Sequence, residues 1–308
     1  MKWVYPDYYK QFQCIADRCR HNCCIGWEID IDYSSMMNYN KMKGPMGDRL
    51  RSCIAGSALD GHFILAEGDR CPLLNERGMC DLIIAKSEKS LCQICRDHPR
   101  FRFRLTDREE IGLGLCCEEA CRLILNQTEP MKLILEDNGR SKAVPNSSDL
   151  YALEKREKML VIATDRSVSV EQRMELMLEA DDTSIPDIPF KNWVDILLNL
   201  ERLDETWTKL LISNHSKQFG ASINEITQEN LLAYFLYRYC VKETRAGDYS
   251  FGVIPFCVLS TKIIATLCDK QADVYEIARM YSAEIEYSYD NLYGLMGMLD
   301  EYNGGTEE

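Results

Sequence analysis

The sequence predicts a mainly α protein in two parts: a small, irregular, cysteine-rich α+β metal-binding region with a short β-hairpin, followed by an all-α helical domain. Three observations carry this expectation. Twelve of the 15 cysteines fall between Cys14 and Cys121. Residues 1–130 otherwise show glycines and short alternating runs, whereas residues 149–300 are long helical patterns with few breakers. Between the two textures, EDNGRSKAVPNSSD (136–149) gathers Gly, Pro, Asn and Ser and reads as a linker. The expected organisation is a cysteine-rich region over 1–135, a linker over 136–148 and a helical domain over 149–302.

Taken in order, GWEIDID (26–32) alternates apolar and acidic residues, which suits a short extended segment. RFRFRL (100–105) alternates more strictly, with Arg100, Arg102 and Arg104 on one face and Phe101, Phe103 and Leu105 on the other. A polar TDREE and then IGLGL complete a predicted hairpin over 100–115. CCEEACRLILNQ (116–127) reads as helix, with Glu118 and Glu119 in its first turn, where they suit the helix dipole. Further helices are expected near 149–165, 169–181, 190–213, 225–244, 252–269, 271–287 and 290–300, with Asn224 or Thr227 capping the fourth of these.

Charge divides the chain as well. Residues 1–130 hold 18 Lys and Arg against 19 Asp and Glu, while the remainder holds 18 against 30. An acidic second half disfavours nucleic acid and anionic membrane as partners. No apolar run reaches the 18 residues of a membrane-spanning helix, and MKWVYPDYYKQFQC lacks the apolar stretch of a signal peptide. The expected location is cytoplasmic, where thiols stay reduced and a dense cysteine cluster points to metal before disulfides.

Four cysteine clusters stand out: Cys14, Cys19, Cys23 and Cys24; Cys71 and Cys80; Cys92 and Cys95, followed by His98; and Cys116, Cys117 and Cys121. A C-x2-C pair lets two thiolates converge across a tight turn, and thiols four apart share a helical face. Four thiolates hold either zinc or an iron–sulfur cluster. Zinc modules commonly pair two C-x2-C knuckles, and a single such pair is present, so scattered cysteines from separate segments favour the cluster. Cys53 and Cys121 are the expected non-ligands, and Cys240, Cys257 and Cys268 lie on apolar helical stretches as core thiols. No dinucleotide-binding glycine fingerprint, P-loop or Ser/His/Asp triad is visible.

The order FQCIADRCRHNCCIGWEIDID, CPLLNERGMCDL, LCQICRDHPRF and LGLCCEEACRLIL resembles the flagellin lysine-N-methylase family, and its N-terminal part is similar to small zinc- or iron-chelating domains. ENLLAYFLYRYCVKE (229–243) and YSAEIEYSYDNL (281–292) are similar to segments of that family's helical half. The resemblance implies transfer of methyl groups from S-adenosylmethionine to lysines of flagellin, with a 4Fe-4S cluster required. The positions it matches as ligands are Cys14, Cys19, Cys23, Cys24, Cys71, Cys80, Cys92, Cys95 and Cys117. This chain carries Glu118 where the family has proline, and adds Cys116 and Cys121. A non-catalytic zinc- or iron-binding protein is the alternative.

Lysine methylation needs a neutral amine facing an electrophilic methyl group, so carboxylates and tyrosines suit the site. The expected catalytic residues are Tyr237, Glu284 and Glu286, near Tyr239 and Tyr287. The expected cofactor-binding residues are Arg100, Arg102, Tyr234 and Arg238. Tyr234 and Tyr237 share a helical face, with Arg238 one turn beyond Tyr234. The arginines of the predicted hairpin suit a cofactor carboxylate, thiolate charge or a solvated strand face.

Overall fold

The computed structural model describes residues 2–139 and 143–304; residues 140–142 of the expected linker and the last four of the chain lie outside the described residues. The protein is mainly helical with a small mixed sheet. Its compact units have bounds other than the composition suggests. One is Gln13–Arg100, and the other joins everything from Phe101 onward to the N-terminal residues up to Phe12.

The larger unit is not all-α, because it includes a four-stranded sheet. Lys2–Pro6 runs parallel to Arg108–Leu113, with Lys2 opposite Arg108 and Val4 opposite Glu110, and antiparallel to Leu133–Asp137, with Lys2 opposite Asp137 and Pro6 opposite Leu133. Arg100–Arg104 lies outside Arg108–Leu113 and turns into it through Leu105, whose N–H donates to the Arg108 carbonyl at 2.9 Å. The alternation read from sequence persists here: Arg102 and Arg104 are exposed, while Phe101 and Phe103 are half-buried and Leu105 is buried. The N-terminal strand draws residues 2–6 into this unit because ladder hydrogen bonds on both sides satisfy its backbone.

The helices of this unit are Glu118–Leu125, Ser147–Ala163, Val170–Asp181, Phe190–Asn199, Glu205–Asn214, Glu225–Phe235, Val241–Ala246, Val253–Leu267, Val274–Tyr281 and Tyr289–Tyr302. The expected helix over 190–213 is two, separated by residues 200–204. Asn224, rather than Thr227, is the cap of the helix starting at Glu225: its side chain accepts the Thr227 N–H at 2.8 Å. Two further expected helices are interrupted by π turns, Leu236–Cys240 and Ser282–Glu286. The core is continuous, with Trp193, Trp207, Phe235, Phe256, Leu259 and Tyr281 among its fully buried members, and Cys240, Cys257 and Cys268 packed into it as expected of small apolar thiols.

Buried charges in this unit are paired. Glu110 accepts two hydrogen bonds from Arg156, and Glu229 accepts from Arg173 at 2.8 Å and from Arg166 at 3.0 Å.

The unit Gln13–Arg100 is irregular. It contains the helices Tyr33–Lys41, Pro45–Ser52, Asp81–Ala85 and Gln93–Asp97, and a two-stranded ladder of Ile54–Ala55 against His62–Phe63. Residues 26–32 are held by isolated pairings, with Ile31 N–H on Gly61 and Phe63 N–H on Ile29. Asp32 caps the first helix by accepting the Ser35 N–H at 3.0 Å. A small core of Ile29, Ile31, Met36, Tyr39, Leu50, Phe63, Leu73 and Leu82 incorporates Cys71 and Cys92.

Candidate functional site

All fifteen cysteines are free thiols. Three of the four cysteine clusters belong to the unit Gln13–Arg100, whereas Cys116, Cys117 and Cys121 belong to the helical unit. Short helices begin directly behind Cys80 and Cys92. A first helical turn has N–H groups without intrahelical acceptors. Those groups point at sulfur: Leu82 and Ile83 donate to Cys80, and the Cys95 N–H donates to Cys92. Leu73 and Leu74 do the same for Cys71, the residue whose own N–H donates to the Cys24 carbonyl at 2.8 Å.

These local arrangements gather Cys23, Cys24, Cys71, Cys80, Cys92 and Cys95. Cys92 Sγ and Cys95 Sγ are 3.5 Å apart, and Cys23 and Cys24 share a hydrogen bond. Cys24 is repelled by Cys23, Cys71 and Cys80, and Cys95 by Cys92, Cys24 and Cys71. Burial, reinforced by these neighbours, pushes the Cys71 thiol up to about 11 and raises that of Cys80. The hydrogen bond within each pair, and then burial, raises Cys24 and Cys95, while the same bonds lower Cys23 and Cys92.

Among the described residues, no group of three or more His, Cys, Asp or Glu is arranged to hold a metal ion as it stands. The donor chemistry nevertheless fits a thiophilic cation. Crowded thiols repel one another as thiolates, and a cation among them reverses that repulsion while the backbone N–H groups stabilise the sulfurs.

Of the remaining expected ligands, Cys14 also feels the charge of Cys23. Cys14 is exposed and accepts the Ala16 N–H at 3.4 Å, and Cys19 donates to the His21 carbonyl at 3.3 Å. Cys117 precedes the helix Glu118–Leu125 in the helical unit, and the buried Cys121 donates to the Tyr275 carbonyl at 3.3 Å. His98 is half-buried beside Trp27, and desolvation lowers its imidazole to about 4, so it stays neutral.

A second constellation lies in the helical unit, where the two π turns contribute Arg238 and Glu286. Glu286 accepts from the Tyr234 and Tyr239 hydroxyls, each at 2.9 Å, and its carboxylate is 3.6 Å from Arg238 Nε. Arg238 Nη1 donates to the Tyr234 oxygen at 2.6 Å, and the Leu115 N–H donates to the same oxygen at 3.2 Å. Four rings surround the guanidinium: Phe101 at 4.9 Å, Tyr287 at 5.2 Å, Tyr239 at 5.3 Å and Tyr234 at 6.0 Å from their centroids. Phe101 reaches this position because Gly112 has no side chain. A Cβ there would stand 2.2 Å from the Phe101 ring.

Burial keeps the phenols of Tyr234, Tyr239 and Tyr287 protonated, so they act as hydrogen-bond donors. Burial alone disfavours the charge on Arg238, but Glu286 outweighs it and the guanidinium is held protonated. Cys116 is hydrogen-bonded to Tyr287, and burial pushes its thiol up to about 12.

Of the expected catalytic residues, the structure brings Glu286 into this constellation. The Tyr237 hydroxyl is bonded instead to the carbonyls of Val4 at 2.9 Å and Ile111 at 3.0 Å. Glu284 accepts the N–H groups of Leu203 at 2.9 Å and Asp204 at 2.7 Å, which braces the loop over 200–204. Of the expected cofactor-binding residues, Tyr234 and Arg238 meet, Arg102 is exposed, and Arg100, in the other unit, donates to the Arg96 carbonyl at 3.1 Å.

Comparison with known proteins bears on these geometries. A protein named Lysine-N-methylase from Salmonella typhimurium is 27% identical over 142 residues, which is 42% of this chain and 33% of the relative. The Lysine-N-methylase of Salmonella choleraesuis matches with the same figures. The Flagellar biosynthetic protein FliU of Salmonella muenchen is 25% identical over 141 residues, 42% of this chain and 79% of FliU. The chain is thus similar, over 42% of its length, to proteins named Lysine-N-methylase and Flagellar biosynthetic protein FliU. It spans about a third of the length of the two lysine-N-methylases. No family model matches, and no solved structure does.

Sequence reasoning left Phe101 out of the candidate site and set Cys116 among the cysteine clusters, whereas the structure places it beside Tyr287. Phe101 was visible as the inward face of an alternating strand, but its partner Arg238 lies far along the chain and no local pattern joins them. The π turns that aim Arg238 and Glu286 have no sequence signal of their own, since both segments keep ordinary helical composition.

Proposed function

We propose that this chain is an S-adenosylmethionine-dependent lysine N-methyltransferase acting on flagellin in the cytoplasm, and that it depends on a cysteine-ligated 4Fe-4S cluster. The observation that carries the reading is the similarity to proteins named Lysine-N-methylase and FliU. The gathering of Cys23, Cys24, Cys71, Cys80, Cys92 and Cys95 supports the cluster. These six supply the core of the ligand set, which Cys14 and Cys19 of the same unit extend. When bound, an iron–sulfur cluster supplies iron sites whose potential is set by their ligands and hydrogen bonds.

The chain's own residues do the following. The N–H groups behind Cys71, Cys80 and Cys92 stabilise thiolate sulfur. Glu286 balances the charge of Arg238, and the exposed ring of Tyr287 offers its quadrupole to an approaching alkylammonium. Tyr234 and Tyr239 hold Glu286 in position. Tyr287, 45% exposed, lies at the rim of the constellation beside Cys116. The substrate lysine must shed its proton before it attacks, and a desolvated setting lowers the ammonium's affinity for that proton.

The test is anaerobic purification with iron, sulfide and zinc analysis, followed by incubation with flagellin and S-adenosylmethionine. The expected result is iron with acid-labile sulfide, and flagellin gaining mass on lysine in methyl-sized steps. Zinc without sulfide, together with unmodified flagellin, would replace this reading with that of a metal-binding protein without the reaction.

A further inference from the structure

Two π turns in one unit, each carrying a charge into the same interior, call for a physical reason. A π turn has poorer hydrogen-bond geometry than an α turn, and it recurs where a side chain must be re-aimed for a function. Leu236–Cys240 aims Arg238, and Ser282–Glu286 aims Glu286. Glu286 is fully satisfied by two phenols. Arg238 is not.

A guanidinium has five N–H donors. Arg238 uses Nη1 on Tyr234, its Nε is 3.6 Å from Glu286, beyond a hydrogen bond, and Nη2 has no acceptor among the described residues. Its side chain is 10% exposed, so these donors face solvent through a small opening and have no protein acceptor there. The open part of the fork is enclosed by Phe101, Tyr239 and Tyr287, with the half-buried Cys116 and the exposed Tyr287 beside it. A planar fork with spare donors matches a carboxylate or a phosphate, and of the two the carboxylate brings less negative charge to a site that already holds Glu286. Glu286 balances the guanidinium while the fork is empty. An amino-acid terminus brings its own ammonium with its carboxylate, so its arrival adds no net charge to the buried site.

We propose that Arg238 is the anchor for the α-carboxylate of an amino-acid ligand, which under the methyltransferase reading above is the methionyl end of S-adenosylmethionine. Phe101 and Tyr287 enclose the methylene and sulfur portion of that ligand. Tyr234, held by Leu115 and Glu286, keeps the guanidinium plane oriented.

The experiment compares two probes by calorimetric titration into the full-length, anaerobically purified protein: S-adenosylhomocysteine and its decarboxylated counterpart. Wild type is expected to prefer the carboxylated probe by about 10- to 100-fold, the scale of a charge-assisted bidentate contact. Arg238→Gln is expected to bind both probes equally, at the wild-type affinity for the decarboxylated one, and Arg238→Lys to recover part of the preference. Equal affinity of wild type for the two probes overturns the inference even if Arg238→Gln fails to fold. A preference that persists in a folded Arg238→Gln also overturns it, while leaving the methyltransferase reading intact. Binding of neither probe by wild type removes the methyl-donor reading and this inference with it.

Discussion

Tyr237→Phe separates a scaffolding hydroxyl from a reacting one. The side chain is 1% exposed, and its hydroxyl reaches two backbone carbonyls, Val4 at 2.9 Å and Ile111 at 3.0 Å, on neighbouring parallel strands. Phenylalanine keeps the ring, its contact with Phe101 and its place under the Arg156 guanidinium, so no cavity forms. What is lost is one buried donor shared by two acceptors, a cost of about 1–3 kcal/mol. For a unit of this size, each kcal/mol moves the melting midpoint by about 2–4 °C. The variant should therefore melt about 2–12 °C lower by circular dichroism, with a matching drop in urea midpoint at unchanged slope. Methyl transfer at 25 °C, where the variant remains folded, should stay within about threefold of wild type. A variant as stable as wild type but slowed 100-fold would refute the scaffolding assignment and return Tyr237 to the chemistry.

Glu284→Ala leaves the Leu203 and Asp204 N–H groups without their acceptor. It should cost about 1–3 kcal/mol and open residues 200–204 to limited proteolysis; unchanged cleavage would show that the brace is unimportant. Glu229→Ala strands the buried Arg173 guanidinium and should cost about 3–5 kcal/mol in urea unfolding, far more than removal of an exposed pair such as Glu205 with Lys209. Cys95→Ser should lose iron and sulfide on anaerobic purification, whereas Cys268→Ser, buried in the helical core, should retain both; equal metal content in the two variants contradicts the ligand assignment. Burial tends to raise the Asp107 carboxyl, but hydrogen bonds from Arg108 and Lys2 outweigh it and hold the group below the usual carboxylate range. Its stabilisation is therefore present above about pH 4 and lost as pH falls through the lowered value. Asp107→Asn should be less stable than wild type at neutral pH, with the gap closing in acid. A gap that is independent of pH would show that charge is not the cause.

Much of the chain was legible from local pattern because local pattern had a local cause. Strict alternation at 100–105 places Phe101, Phe103 and Leu105 inward, since successive strand residues face opposite sides. The helix starts directly behind Cys80 and Cys92 explain why backbone N–H groups face their sulfurs. The split of the 190–213 helix and the roles of Tyr237 and Glu284 were not legible. Each depends on a backbone group distant in sequence, Val4 for Tyr237 and Leu203 for Glu284.

By itself the sequence determined that the protein is mainly helical, that its reduced thiols concentrate in the first 121 residues, and that its cysteine segments resemble those of flagellin lysine-N-methylases. Tertiary structure alone decided that the N-terminal strand joins the helical unit's sheet, that nine of the cysteines share the unit Gln13–Arg100, and that Arg238 and Glu286 meet among four aromatic rings. Periodicity reports which face of an element is buried. It carries no information about which distant side chain shares that interior, because pairing is settled by packing and by the need of each buried polar group for a partner.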